Sequence, residues 1–514
     1  MKNDSFKLTY ATMFDPPEVL HVRFEEAMTR VRTSLGKEYG MLIDGQERSS
    51  DTKMDEVSPA DTELVLASFQ EGGRQDVDDA VAAARQTLPV WSRTPWQERV
   101  RLVRKVALLI EQRLFDMSAS MVLSVGKNRM EAIGEVAETA DLITYCCDEM
   151  ERNNGFAVEM KQDPIPNQRS DNMSVMKPHG VWLVISPFNY PTALSGGPMG
   201  AALVAGNTVV IKPSSDTPWT SRLLAECFRD AGIPGGVVNF VTGPGDVLGQ
   251  ALISSPDVDG VTFTGSYEVG MKIFRERAQL DYVRPVILEM GGKNPAIVSR
   301  NADPDGAALG IMRSAFGLQG QKCSACSRAY VEEPMFDEVV ERIVELTKNI
   351  VVGDPADRDV YMGPVINRAA YDRYTKCVEE LSSAGEILVG GHTLSGPKYA
   401  KGYFCAPTVV SEVPLDHDLW KQEMFLPILM VAAVPDLNEA VAHANSTVYG
   451  LTSGFYGSDE EAQWFFDNSH SGVAYANRPS GATTGAGPGY QPFGGWKGSG
   501  ASGRNAGGHY YLGL

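Results

Sequence analysis

"VWLVISPFNYPTALSGGPMGAALVAGNTVVIK", residues 181–212, decides the fold. Two β-branched runs, 181–186 and 207–212, bracket a segment of helical length at 192–205. Short β-branched runs of this kind read as strands, and a strand–helix–strand repeat closes as a right-handed crossover on a parallel sheet. The alternation continues through "GVVNFVTG" (236–243), "GVTFTG" (260–265) and "VILEMGG" (286–292), with helix-length segments at 217–231, 245–254 and 268–279. An α/β fold follows. Ligands of such sheets sit beyond the carboxyl ends of the strands. The residues there are Pro187-Phe188-Asn189, Lys212-Pro213-Ser214, Thr242-Gly243, Gly265-Ser266 and Glu289, a polar, glycine-rich set suited to a cofactor cleft.

Outward from this core, residues 75–150 read as helices. Thr94-Pro95 has the form of an N-cap followed by proline at the first helical position, with Gln97 placed to complete a capping box. A second α/β stretch spans about 295–475, and 154–176 is a polar, turn-rich excursion. Residues 478–508 are dense in glycine, yet Tyr490, Phe493 and Trp496 interrupt them, which predicts an ordered loop that packs aromatics near a site.

The 514 residues carry a net charge of −19 with no basic stripe, which argues against nucleic acid as partner. No apolar run approaches the ~20 residues of a membrane span, and the N-terminus lacks the pattern of a signal or transit peptide. A cytoplasmic protein is the expectation. Seven cysteines are too sparse for a disulfide framework. A zinc site would have to recruit scattered ligands, so no metal is expected.

"GLQGQKCSACSR" (317–328) holds a Cys-x-x-Cys that reads as half a zinc site, as a redox dithiol, or as one nucleophile, Cys323, beside a bystander, Cys326. Lys322 and a following helix N-terminus would favour the Cys323 thiolate. No histidine is near in sequence, so a cysteine hydrolase using a distant one stays open. Glu289 reads equally as a general base in a cleft or as an acid paired with Lys293. Asn189 offers an amide donor for an oxyanion, or an Asn-turn. "TGPGDVLG" and "TGSYEVG" bring backbone N–H groups into helices, which suits a pyrophosphate, although neither is a full dinucleotide fingerprint.

From about residue 40 onward the chain resembles the aldehyde dehydrogenase superfamily. The matching stretches are "VISPFNYP", "GNTVVIKPSSDTP", "FTGSYEVG", "LEMGGKNP", "GQKCSACSR", "QEMFLP" and "YQPFGGWKGSG", in the family's order. The resemblance implies a parallel-sheet, Rossmann-like cofactor domain (1–153 and 177–288), an α/β catalytic domain (289–476) and a small β oligomerisation segment (154–176 and 477–514). It implies Cys323 as nucleophile, Asn189 as oxyanion donor and Glu289 as the base that hydrolyses a thioacyl enzyme. It implies cofactor contacts from Ser186, Pro187, Phe188, Lys212, Ser214, Ser215, Gly245, Thr264, Gly265, Ser266, Gly291, Glu423 and Phe425. NAD is the expected cofactor. Ser215, standing where many NAD-selective members carry glutamate, leaves NADP open. Leu426 replaces a usual glycine beside the nicotinamide-ribose position.

Within the superfamily the late loop looks most like the branch that oxidises L-glutamate γ-semialdehyde, formed from 1-pyrroline-5-carboxylate. That implies Ser324, Gly485 and Ala486 as anchors for an α-carboxylate and Phe493 as an aromatic wall. Another aliphatic, aromatic or semialdehyde substrate is the alternative, since the loop departs from the branch at Gly487-Pro488. A homodimer or dimer-based oligomer is the expected assembly.

Overall fold

The computed structural model of the protein describes Met13 and residues 15–481, 487–501 and 505–514. Two seven-stranded sheets dominate it. Across the first, the order is Val286–Glu289, Gly260–Thr264, Val181–Ile185, Thr208–Lys212, Val238–Phe240, Met41–Ile43 and Gln46–Arg48. The first five strands are mutually parallel, and the last two form an antiparallel extension. Successive residues of a strand feed cores on opposite faces: Trp182 and Val184 join one, Val181 and Leu183 the other. Burial on both faces is why these strands carry apolar runs rather than alternation.

The second sheet has the order Glu386–Val389, Thr408–Ser411, Ile428–Val434, Cys326–Glu332, Asn294–Val298, Thr452–Tyr456 and Val473–Ala476, antiparallel only at its first pair. It too has a core on each face, with Ile297 and Tyr330 on one side and Ala296, Val298 and Ala329 on the other. Four residues, Met290 to Lys293, join the edge strand Val286–Glu289 of the first sheet to the strand Asn294–Val298. The carboxyl end of one sheet is thereby set against the amino end of a strand of the other.

The excursion is an antiparallel hairpin of Ala157–Glu159 with Met173–Val175. Val158, Met160, Ile165, Met173 and Val175 are exposed on it.

Some local expectations change. The helix after Pro95 runs Trp96–Gln112 and has no side-chain cap. Thr94 instead bonds back to the Val90 carbonyl of the preceding helix at 3.0 Å, so its hydroxyl completes one helix rather than starting the next. Residues 245–254 divide into a wide turn of helix, Gly245–Gly249, and a short α-helix, Gln250–Ser254. No helix follows Cys323: the chain enters the strand Cys326–Glu332.

Candidate active site

The loop 317–325 sits where the two sheets meet, and remote side chains pin its carbonyls. Asn189, past the strand Val181–Ile185, donates to the Gln321 carbonyl at 2.8 Å. Asn294 donates to the Cys323 carbonyl at 2.6 Å and to the Ala325 carbonyl at 2.9 Å, while its own oxygen accepts the Thr452 N–H at 3.0 Å. The Thr452 hydroxyl donates to the Ser324 carbonyl at 3.2 Å. Upstream, Leu318, Gln319 and Gly320 adopt left-handed φ values of 48°, 56° and 67°. Non-glycine residues hold such a conformation only where their surroundings enforce it.

Cys323 opens onto a cavity with about 70 Å³ of room, whose walls include Leu142, Tyr190, Leu194, Leu451, Phe493 and Tyr511. Glu289, Thr264 and Ser324 line it as well, as does Glu138 from the helix Arg129–Arg152. Burial, with the nearby Glu423 and Glu289 carboxylates, pushes the Cys323 thiol up to about 12. The expected activation by Lys322 does not occur: its ammonium is held by Glu131 at 2.6 Å, and no helix N-terminus follows. Burial lifts the Glu289 carboxyl to about 8, and its Oε2 has no hydrogen-bond partner. The alternative pairing with Lys293 is absent, since Lys293 Nζ is likewise buried without a hydrogen-bond partner. Cys326 is buried, its sulfur on the Arg328 carbonyl, as a bystander requires.

Glu423 approaches from the second sheet's side. Its Oε1 accepts the Gly292 N–H at 2.8 Å, and a Cβ on Gly291 would lie 2.1 Å from its Oε2, so any larger residue there would displace that carboxylate. Lys212 is buried, donates to the Pro213 carbonyl at 3.0 Å, and is lowered to about 8 by desolvation. Ser186 Oγ is buried without a hydrogen-bond partner at the neighbouring strand end. Phe188 and Phe425 meet edge to face with centroids 5.9 Å apart. Ser214 shares a turn with Asp216, and the exposed Ser215 donates to the Gly243 carbonyl at 3.1 Å.

Ser266 caps the helix Tyr267–Arg277 through the Val269 N–H, while the Gly265 N–H is used by the Glu289 carbonyl. The Gly265 amide is thereby taken within the sheet, and the first turn of the helix is left to present N–H groups toward an anion. A buried orphan hydroxyl, a glycine cradle beneath a carboxylate and a desolvated lysine at adjoining strand ends fit a dinucleotide.

Gly485 and Ala486 lie outside the described residues. Of the three late aromatics only Phe493 faces the cavity; Tyr490 and Trp496 are exposed. Leu426 is buried, and its carbonyl packs against Gly320, where a Cβ would clash at 2.2 Å. Glu138, Leu142 and Cys146, which line the cavity at helical spacing, were not among the expected site residues, nor was Asn294, although it lies within "LEMGGKNP". The signal was available in a helix carrying glutamates at 131, 135 and 138 amid apolar residues.

The aldehyde dehydrogenase family model matches residues 46–513. A 1-pyrroline-5-carboxylate dehydrogenase of Bacillus cytotoxicus is 37% identical over 506 residues, which cover 97% of this chain and 95% of that protein. The solved 1-pyrroline-5-carboxylate dehydrogenase from Thermus with bound NAD superposes with a TM-score of 0.92 at 34% identity, covering 100% of this chain and 98% of that one. Proline utilization A from Bdellovibrio bacteriovorus gives a TM-score of 0.90 at 32% identity, with 96% of this chain matching 50% of that one.

Proposed function

The chain belongs to the aldehyde dehydrogenase family, and from that premise we propose that it oxidises L-glutamate γ-semialdehyde to glutamate with NAD. The observation that carries this reading is the cavity itself. A thiol and a carboxylate of raised pKa share one narrow apolar space with Ser324 and Glu138 on its walls. An α-carboxylate suits the serine side, and an α-ammonium suits the glutamate. Relatives named for 1-pyrroline-5-carboxylate support the same substrate.

Cys323 attacks the aldehyde carbon, and the thiohemiacetal oxygen is stabilised by the Asn189 amide and the Cys323 backbone N–H. Such a donor contributes roughly 3–4 kcal/mol to lowering the barrier. The thiol is held in its protonated form at neutral pH, so its proton leaves to solvent as the sulfur attacks, and Glu289 on the same cavity is kept for the deacylation step. Nicotinamide, when bound, supplies the hydride acceptor. Glu423, Lys212, Ser186, Phe188 and Phe425, with the first turn of the helix after Ser266, would hold the dinucleotide. After oxidation a thioester remains on Cys323, and Glu289 deprotonates the water that releases the acid.

The first sheet with its helices (1–153 and 177–288) serves cofactor binding in this reading, and 289–476 serves catalysis. The exposed apolar hairpin within 154–176, together with 477–514, supports assembly as a homodimer. Among the described residues no helix is long and apolar enough to cross a membrane, in keeping with a cytoplasmic enzyme.

The test is reduced-cofactor absorbance with NAD and with NADP against glutamate γ-semialdehyde, succinic semialdehyde, an aliphatic aldehyde and an aromatic one. Glutamate semialdehyde should lead in kcat/KM by about tenfold or more, since an unsatisfied polar anchor costs at least ~1 kcal/mol. Preference for an aldehyde without an α-carboxylate would overturn the substrate and leave the reaction class standing.

A further inference from the structure

Beneath the loops that flank the cavity runs the helix Arg129–Arg152, which buries four glutamates, three of them on one face of its first half: Glu131, Glu135 and Glu138. Glu138 lines the cavity; the other two do not. Each of these two meets a buried lysine. Glu131 accepts from Lys322 Nζ at 2.6 Å through Oε1, and from the Leu318 N–H at 3.1 Å through Oε2. Glu135 accepts from Lys127 Nζ through Oε2. Its Oε1 accepts from the Thr192 N–H and hydroxyl, both at 2.9 Å, and from the Ala193 N–H at 3.2 Å. Lys127 Nζ also lies 3.5 Å from the centroid of the Tyr190 ring.

These partners stand next to the reacting groups. Lys322 immediately precedes Cys323, and Leu318 begins the left-handed run that leads to it. Tyr190 immediately follows Asn189, and Thr192 stands three residues after it. One carboxylate therefore grips the loop with the thiol, and the next, one helical turn on, grips the loop with the amide donor. Buried ion pairs add little net stability over apolar side chains of the same shape, but they tolerate few geometries. Two such pairs on one rigid helix act as a spacer. We propose that Glu131 and Glu135 are positioning residues that set the distance between Cys323 and the Asn189 amide, so that both meet the aldehyde oxygen together.

This inference rests on the roles proposed above for Cys323 and Asn189, but not on which aldehyde is oxidised. The experiment compares the parent enzyme with Glu135→Gln and Glu131→Gln. It adds Lys127→Met/Glu135→Gln and Glu131→Gln/Lys322→Met, double variants that leave no buried charge unpaired. The readouts are the pre-steady-state burst of reduced cofactor per titrated Cys323, KM, cofactor affinity, and the rate of Cys323 alkylation by iodoacetamide.

Loss of registration by about an ångström should slow the burst about 100-fold in the double variants, with KM and cofactor affinity held within about threefold. Glu135 substitutions should leave alkylation near the parent rate, because the thiol loop keeps its own anchor; Glu131 substitutions should change it. Folding defects alone reduce the titratable thiol but not the burst rate per thiol. A double variant with a parental burst rate per thiol overturns the inference. Turnover retained by Cys323→Ala would instead remove the reading beneath it, so the two failures are distinguishable.

Discussion

Two irregular, glycine-bearing loops face one another across the cavity, and they are held in different ways. Side chains from distant segments fix the thiol loop, 317–325: Asn189, Asn294, Glu131 and Thr452 each bond its backbone or its lysine. In the late loop, the part that meets the cavity, residues 487–493 and 505–508, is closed largely by its own backbone, whereas 496–501 is tied to the distant segments 445–450 and 288–291. Gly487 N–H donates to the Gln491 carbonyl, Gly489 N–H to that of Gly507, and Phe493 and Ala506 exchange both bonds. The first loop thus takes its shape from the whole fold, and the cavity-facing part of the second from its local sequence. Chemistry belongs to the part that cannot vary without the fold, and substrate choice to the part that can.

If that division is right, substitutions on the thiol side reduce kcat, and those facing the substrate's far end move KM. Cys323→Ala carries the largest expected effect: aldehyde oxidation is abolished while cofactor binding persists, checked by reduced-cofactor absorbance and cofactor titration. Glu289→Gln comes next, slowing deacylation on the order of 10²–10⁴-fold, measured as a burst followed by a slow steady state. Asn189→Ala should lower kcat about 10²–10³-fold with little change in KM.

The pH profile is milder. Glu289 works as a carboxylate and its carboxyl is raised to about 8, so the working form is lost as pH falls below that value. Rates should drop about tenfold per unit below it in the parent and stay flat there in Glu289→Gln. Smallest is Ser324→Ala, expected to raise KM for glutamate semialdehyde about tenfold with kcat unchanged. If Ser324→Ala instead lowered kcat as strongly as Asn189→Ala, the two sides would not be separable.

The same contrast explains what the sequence disclosed. The run 181–212 was legible because strands covered on both faces leave an apolar signature, and the motifs after them place Asn189, Lys212 and Glu289 without any tertiary knowledge. The environment of the thiol was not legible. Lys322 adjoins Cys323 in sequence and reads as its activator, but Glu131, far away in the chain, claims its charge. Thr94 looks like a cap because the caps of successive helices cannot be assigned from spacing alone. Glu138, Leu142 and Cys146 recur at helical spacing, the pattern of a core stripe, and only the fold shows that this stripe faces a cavity.

The most direct test is the intact mass of Glu289→Gln mixed with NAD and glutamate γ-semialdehyde, followed by peptide mapping. A mass gain equal to one glutamyl acyl group, mapped to Cys323 and absent in Cys323→Ala, is the predicted result. It would establish nucleophile, base and substrate together. An unmodified protein that turns over at the parental rate would contradict the account, because deacylation would then depend on some group other than Glu289.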